Sequence, residues 1–219
     1  MENNIDSVIS LLKNNPEYFK KDITFSKEQS DQISESISLL ENGAFSSEKE
    51  KGESFEKVIK DIFCIHGLFE VKTNSRTSTN EIDLLLMPTL YGTKIIDFVF
   101  NRFLDGNIIV ECKNYKKKVD VTWIGKLASL LDVSKVSVGL LITKSGITGR
   151  GNWDAGQGLI RKISLKKNIL IIDLVLKDFI ELDGKNLLDL MKTKIDTLNL
   201  DVNFDELWTA HPLEKEFKT

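Results

Sequence analysis

The sequence predicts an α/β domain, a central mixed β-sheet flanked by helices, with helical extensions at its N- and C-terminal ends. Three observations carry that prediction. Apolar residues recur with a period of 3.6 in several long stretches, as they do on the buried stripe of a helix. Short runs of aliphatic and β-branched residues alternate with those stretches, giving the order α-β-β-β-α-β-α-β through the middle of the chain. Runs such as Val138-Gly139-Leu140-Leu141-Ile142 are also continuously apolar, which is the pattern of strands covered on both faces.

Residues 1–45 read as a polar helical extension. Ile5, Val8, Ile9 and Leu12 keep helical spacing until Asn14-Asn15-Pro16 breaks it, and a second helix over about 26–41 puts Ile33, Ile37 and Leu40 on one face. The extension is either an arm packed on the core or an interaction surface. The domain proper spans 46–182. Its opening helix, 49–65, carries Phe55, Val58, Ile59, Ile62 and Phe63 in one stripe, with Glu56 beside it. Strands are expected around 69–73, 82–86 and 108–112. Between the last two, 87–107 contains Ile95, Ile96, Phe98, Val99, Phe100 and Phe103, and reads as a hairpin or an association surface. A helix over about 121–133 points Trp123, Ile124, Leu127, Leu130 and Leu131 inward. The strand at 138–142, a glycine-rich loop, a helix near 155–166 and a strand at 169–174 complete the core. Residues 183–219 form a helical tail led by Leu187, Leu188, Leu190, Met191 and Ile195.

Composition narrows the chemistry. A chain of 219 residues accommodates one medium domain with additions, and 41% hydrophobic with 29% charged residues is ordinary for a globular protein. No apolar run approaches the roughly 18 residues of a membrane span, and the N-terminus lacks the basic and apolar regions of a secretory signal, so a cytoplasmic protein is expected. Two cysteines, Cys64 and Cys112, cannot build a disulfide framework or a multi-cysteine zinc site, and two distant histidines argue against histidine-based metal centres. Hydrolytic chemistry here would rest on carboxylates, lysine and a hard metal ion. The net charge of −3 is unlike that of a protein that coats DNA, and fits local contacts or dependence on a partner. Gly146, Gly149, Gly151, Gly156 and Gly158 are concentrated after a strand, yet neither G-x-x-x-x-G-K-S/T nor G-x-G-x-x-G occurs. A mobile loop near a substrate accounts for them better than a nucleotide site.

The informative residues are Glu81-Ile82-Asp83-Leu84 and Val110-Glu111-Cys112-Lys113. Alternation along a strand sends Glu111 and Lys113 to one face and Cys112 to the other. Asp83 interrupts a neighbouring apolar strand. Ionisable groups in such strands are costly unless they pair or bind a cation. An alternative for all three is a solvated edge strand or a structural ion pair. As a site, Asp83 and Glu111 would supply oxygen ligands to Mg²⁺, with Mn²⁺ able to substitute, and the Cys112 backbone carbonyl a third. Lys113 would orient or deprotonate a water and offset developing charge in phosphodiester hydrolysis. Lys116-Lys117-Lys118 follows directly and reads equally as a phosphate contact or a solvated loop; Lys126 joins it as a candidate nucleic-acid contact. Lys144, Arg150, Arg161 and Lys162 form a scattered second basic set.

These residues resemble the PD-(D/E)XK nuclease superfamily, most closely its Mrr-like restriction endonucleases. The likeness starts at Lys51-Gly52-Glu53-Ser54-Phe55-Glu56, continues through Asn80-Glu81-Ile82-Asp83-Leu84 and Val110-Glu111-Cys112-Lys113-Asn114-Tyr115, and extends to the helix at 121–131 and Gly139-Leu140-Leu141-Ile142-Thr143-Lys144-Ser145-Gly146. Ile82-Asp83 stands for the family's Pro-Asp, and Lys126 stands where related helices often carry Gln or Glu. The resemblance implies a restriction-endonuclease-like core and a catalytic set of Asp83, Glu111, Lys113 and Glu56. The activity expected is metal-dependent cleavage of DNA in restriction or anti-phage defence, by a homodimer or a subunit of a defence complex. A nickase, a branched-DNA resolvase, an RNA-cleaving nuclease or a non-catalytic assembly module of the same fold are the alternatives.

Overall fold

A computed structural model of the chain describes residues 2–76, 81–149 and 154–201. Nine helices and five strands occur among them: α1 (Glu2–Asn14), α2 (Pro16–Asp22), α3 (Lys27–Asn42), α4 (Glu48–Cys64), β1 (Phe69–Arg76), β2 (Glu81–Pro88), α5 (Leu90–Phe98), β3 (Ile108–Lys113), α6 (Val121–Ser134), β4 (Val138–Thr143), α7 (Ala155–Lys167), β5 (Leu170–Val175), α8 (Leu176–Ile180) and α9 (Leu187–Asp201). Asn80, Arg150, Gly151 and the tail beyond 201, which figured in the sequence reading, lie outside the described residues.

The sheet is mixed, in the order β1-β2-β3-β4-β5. β1 pairs with β2 and β2 with β3 antiparallel, and β3 pairs with β4 and β4 with β5 parallel. The parallel half follows from its connections, since β3 reaches β4 through α6 and β4 reaches β5 through α7. Every residue of β4 is buried, as a strand covered on both faces requires. On one face Leu84, Leu86, Ile108, Val110, Cys112, Leu140 and Ile142 pack against Phe55, Ile59, Ile62 and Phe63 of α4. On the other, Ile109, Leu141 and Ile171 meet Ile124, Leu127 and Leu131 of α6 and Ile160 and Ile163 of α7.

The N-terminal extension is packed, which resolves one question the sequence left open. Leu12, Ile23, Phe25, Ile33, Ile37 and Leu40 belong to the same buried cluster as α4 and the sheet. It contains three helices rather than two, because Pro16 opens α2 at a position where its missing N–H costs nothing. Ser26 and Gln29 then close a reciprocal capping box on α3. The C-terminal α9 adds Leu187, Leu188, Met191 and Ile195 to that cluster.

The segment 87–107 corrects the sequence reading. It forms a helix rather than a hairpin, and much of its apolar content is buried. Thr89 caps α5 by accepting a hydrogen bond from Gly92 N–H, and Ile95, Ile96, Val99 and Phe100 are buried in the core. Its β-branched and aromatic residues serve tertiary packing, which outweighs their preference for strands. Arg161 is likewise no surface base: it is 6% exposed and directs its guanidinium at Gln157 on the preceding turn.

Candidate active site

The site forms where two strands part. The ladder between β2 and β3 pairs Leu86 with Ile108, Leu85 with Ile109 and Leu84 with Val110, then stops. The next pair in that register is Asp83 opposite Glu111. The Asp83 carboxylate instead accepts the Cys112 backbone N–H at 2.8 Å. β3 meanwhile stays paired with β4 as far as Lys113 and Thr143, so Glu111 and Lys113 sit on a strand fixed on its other side.

Lys113 joins the set. Its Nζ lies 2.5 Å from Glu111 Oε1 and 3.5 Å from Asp83 Oδ2, and it donates to the Cys112 carbonyl at 3.0 Å. The ammonium also sits 4.4 Å from the centre of the Trp123 ring, with Lys126 Nζ 4.3 Å from the same ring. Cys112 points the other way, into the core, as alternation requires.

Glu56 approaches from α4. Partial burial and the negative charge of Asp83 push its carboxyl up to about 7, and Lys113 only partly offsets them. Burial and Asp83 also raise Glu111 despite its ion pair with Lys113. Burial would lower Lys113, but the Glu111 and Asp83 carboxylates reverse that and hold its ammonium above the ordinary lysine range. Two carboxylates thus pair with one ammonium, and a third, Glu56, lies within its electrostatic reach. Burial likewise drives the Cys112 thiol far up, so it offers no thiolate.

The basic candidates divide. Lys116, Lys117 and Lys118 are exposed and line a cleft of 610 Å³ beside the site, together with Tyr115, Asn114 and Trp123. Lys126 is exposed on α6 and contributes positive charge at Glu111. Lys144 lies 3.8 Å from Glu41 of α3 and is engaged with the extension. Glu81 is exposed at the start of β2. A slightly larger cleft, 660 Å³, lies between α2 and the α8–α9 segment and carries charges of both signs, remote from Asp83. The loop after β4 is tied down over its described part: Gly146 N–H donates to Thr143, and Thr148 N–H to Val119. Gly156 is needed for packing, since a Cβ there would lie 2.9 Å from both the Thr148 carbonyl and Ile124.

Sequence reasoning missed Trp123. Its ring packs against the buried cluster of α6, as its place in the apolar stripe predicts, but it is only half buried and also lies beneath the ammonium groups of Lys113 and Lys126. The signal was present in its position on the first turn of a helix that follows the Lys116–Lys118 loop directly.

A restriction endonuclease family model, that of the Mrr catalytic domain, matches residues 47–174, more than half of the chain. The chain belongs to this family. The match runs from the residue before α4 to the last residue but one of β5, so it includes Glu56, Asp83, Glu111 and Lys113. Neither the comparison with curated proteins nor that with solved structures gave a match. Among the described residues no helix is long and apolar enough to cross a membrane, and no group of three or more His, Cys, Asp or Glu side chains is arranged to hold a metal ion.

Proposed function

We propose that this restriction-endonuclease-family chain is a Mg²⁺-dependent endodeoxyribonuclease, with Mn²⁺ able to replace Mg²⁺. It would act in the cytoplasm in restriction or anti-phage defence, as a homodimer or within a defence complex, since cutting both strands takes two centres. The observation that supports it is the position of Lys113 Nζ, within 3.5 Å of oxygens from Asp83, Glu111 and Cys112. A cation already stands among the three oxygens expected to bind one. A structural ion pair would balance its charges. Here Glu56, raised to about 7, and Glu111, also raised, owe their shifts first to burial and then to the charge of Asp83, and a second cation would offset both.

Two carboxylates and a carbonyl are the hard oxygen donors Mg²⁺ takes, and two side chains with one backbone atom leave room for waters and phosphate. Asp83, Glu111 and the Cys112 carbonyl would therefore hold the ion. When bound, it supplies Lewis acidity toward the scissile phosphate and lowers the pKa of a coordinated water. Lys113 keeps its proton at neutral pH, so it serves as a donor that orients the nucleophile and offsets charge on the phosphate, rather than as a base. Glu56, near 7, can hold or release a proton in the working range.

The test is plasmid cleavage with Mg²⁺, Mn²⁺ or EDTA, comparing wild type with Glu111→Ala and Lys113→Ala. Metal-dependent cutting lost in both variants is expected, and the nicked-to-linear ratio reports one or two working centres. Cutting that survives in both variants would sink the assignment. Parallel reactions on branched DNA and RNA separate the other nucleases of this fold, and a wild type inert on all substrates points to an assembly module.

A further inference from the structure

We propose that the cleft between the Lys116–Lys118 loop and the start of α6 seats one unpaired nucleotide of the DNA strand being cut, with its base against the Tyr115 ring and its phosphates on the loop lysines. This rests on the nuclease reading and narrows its substrate to DNA with an extrahelical or single-stranded nucleotide beside the cut. The cleft holds 610 Å³ and shares Trp123 with the active site, whose Lys113 ammonium is 4.4 Å from that ring. The cleft therefore adjoins the active site at Trp123.

Two chemistries meet there. Among the described residues no carboxylate lies within ion-pair distance of Lys116, Lys117 or Lys118. The acids at the rim are otherwise engaged: Asp120 caps α6 through Thr122 N–H, and Glu48 lies 3.7 Å from Lys51. The lysines are thus available to phosphate. Tyr115, 46% exposed, adds an aromatic surface, its ring centre 6.0 Å from that of Trp123. The Trp123 ring is already engaged by Lys113 and Lys126, which leaves Tyr115 as the stacking face. Lysines alone would serve a paired duplex, whose bases are stacked inside and cannot reach such a ring. An aromatic face among phosphate-binding lysines is how unpaired strands are held.

The loop is held in place before any ligand arrives. The Ser145 hydroxyl lies 3.0 Å from the carbonyls of both Tyr115 and Lys116. Val119 N–H donates to Gly146 at 2.9 Å, and Thr148 N–H to Val119 at 2.9 Å. Little ordering remains to be done on binding.

The test uses the full chain in EDTA, with oligonucleotide duplexes carrying 2-aminopurine either fully paired or in a one-nucleotide bulge. The expected results are tighter binding of the bulged duplex and quenching of its 2-aminopurine emission. Tyr115→Ala should weaken bulge binding about 5- to 150-fold, the equivalent of roughly 1–3 kcal/mol of stacking, and change paired-duplex binding by less than about twofold. Tyr115→Phe should keep the preference, and melting curves of both variants should match wild type because the ring is half exposed. Equal binding of both duplexes, absence of quenching, or an equal loss on both with Tyr115→Ala overturns the inference. A chain that cuts plasmid with Mg²⁺ but shows one of these results retains the nuclease reading without the subsite. A chain that prefers and quenches the bulge but cuts no DNA with any metal keeps the subsite and loses the nuclease reading.

Discussion

Replacing Glu56 with glutamine removes a carboxylate electrostatically coupled to Asp83, Glu111 and Lys113, and the effect should depend on pH in a defined direction. The fold raises this carboxyl from 4.5 to about 7, chiefly through burial and the charge of Asp83. A folded-state value above the unfolded one means that the fold favours the protonated form. The stabilisation is fully present below pH 4.5 and is lost as the pH rises through about 7. Such a shift corresponds to about 3 kcal/mol between protonation states. Glu56 is partly exposed, so solvent screening reduces this to about 1–2 kcal/mol. Glutamine resembles the protonated side chain. Glu56→Gln should therefore leave stability nearly unchanged at pH 4.5 and raise it by about 1–2 kcal/mol at pH 8 without divalent metal. For a chain of this size that is a Tm increase of about 2–8 °C. Thermal melts of both proteins in EDTA at the two pH values measure it. Mg²⁺ added at pH 8 should then stabilise the wild type more than the variant, because the ligand stabilises by mass action in proportion to its affinity for the carboxylate cluster. A variant that is no more stable than wild type at pH 8, or equally shifted at both pH values, would refute the upward shift of Glu56 by burial and the charge of Asp83.

Two further outcomes test the packing that supports the site. Phe25, 1% exposed and edge-on to His66 at 4.7 Å between ring centres, should cost about 3–5 kcal/mol when changed to Ala, measured by urea denaturation; a loss below about 1 kcal/mol would mean the N-terminal extension is peripheral. Gly156→Ala should cost about 1–3 kcal/mol in the same assay, because the new methyl meets the Thr148 carbonyl and Ile124 at 2.9 Å, and an unchanged midpoint would show that the loop after β4 yields freely.

What could be read from the sequence depended on how local its cause was. Strands β3 and β4 and helices α4, α6 and α7 announce themselves through short-range periodicity, and the structure places them within a few residues of expectation. Helix α5 could not be read that way: Ile95 and Ile96 are strand-forming types made helical by the core they fill, and Val99 and Phe100 are buried just beyond its end. The five-residue α8, which follows β5 without a loop, gave no periodic signal at all. In the site, the spacing of Glu111 and Lys113 foretold a shared face. The interruption of an apolar strand marked Asp83. The approach of Glu56 and the role of Trp123 depend on how α4 and α6 lie across opposite faces of the sheet, which no local pattern encodes. Lys144 shows the same limit, because its neighbour Glu41 comes from α3, far away in the chain.

The parting of β2 and β3 connects the fold to the proposed chemistry. Had their ladder run one step further, Asp83 and Glu111 would have stood directly opposite, and like charges in facing antiparallel positions are destabilising. The chain avoids this by ending the ladder at Leu84 and Val110, turning Asp83 onto the Cys112 N–H and bringing Lys113 between the carboxylates. The same divergence leaves oxygens from two strands grouped around one cation rather than zipped into a sheet. β3 remains anchored to β4 through Lys113 and Thr143, so the opening falls on the β2 side alone and Glu111 stays fixed while Asp83 faces it across the gap. Repulsion that would weaken a purely structural sheet is thereby concentrated at the place where, in the proposed function, a metal ion and a phosphate would relieve it. Lys113 offsets part of the cost of the carboxylate pair, and the remainder is what would give the proposed site its affinity for a metal ion.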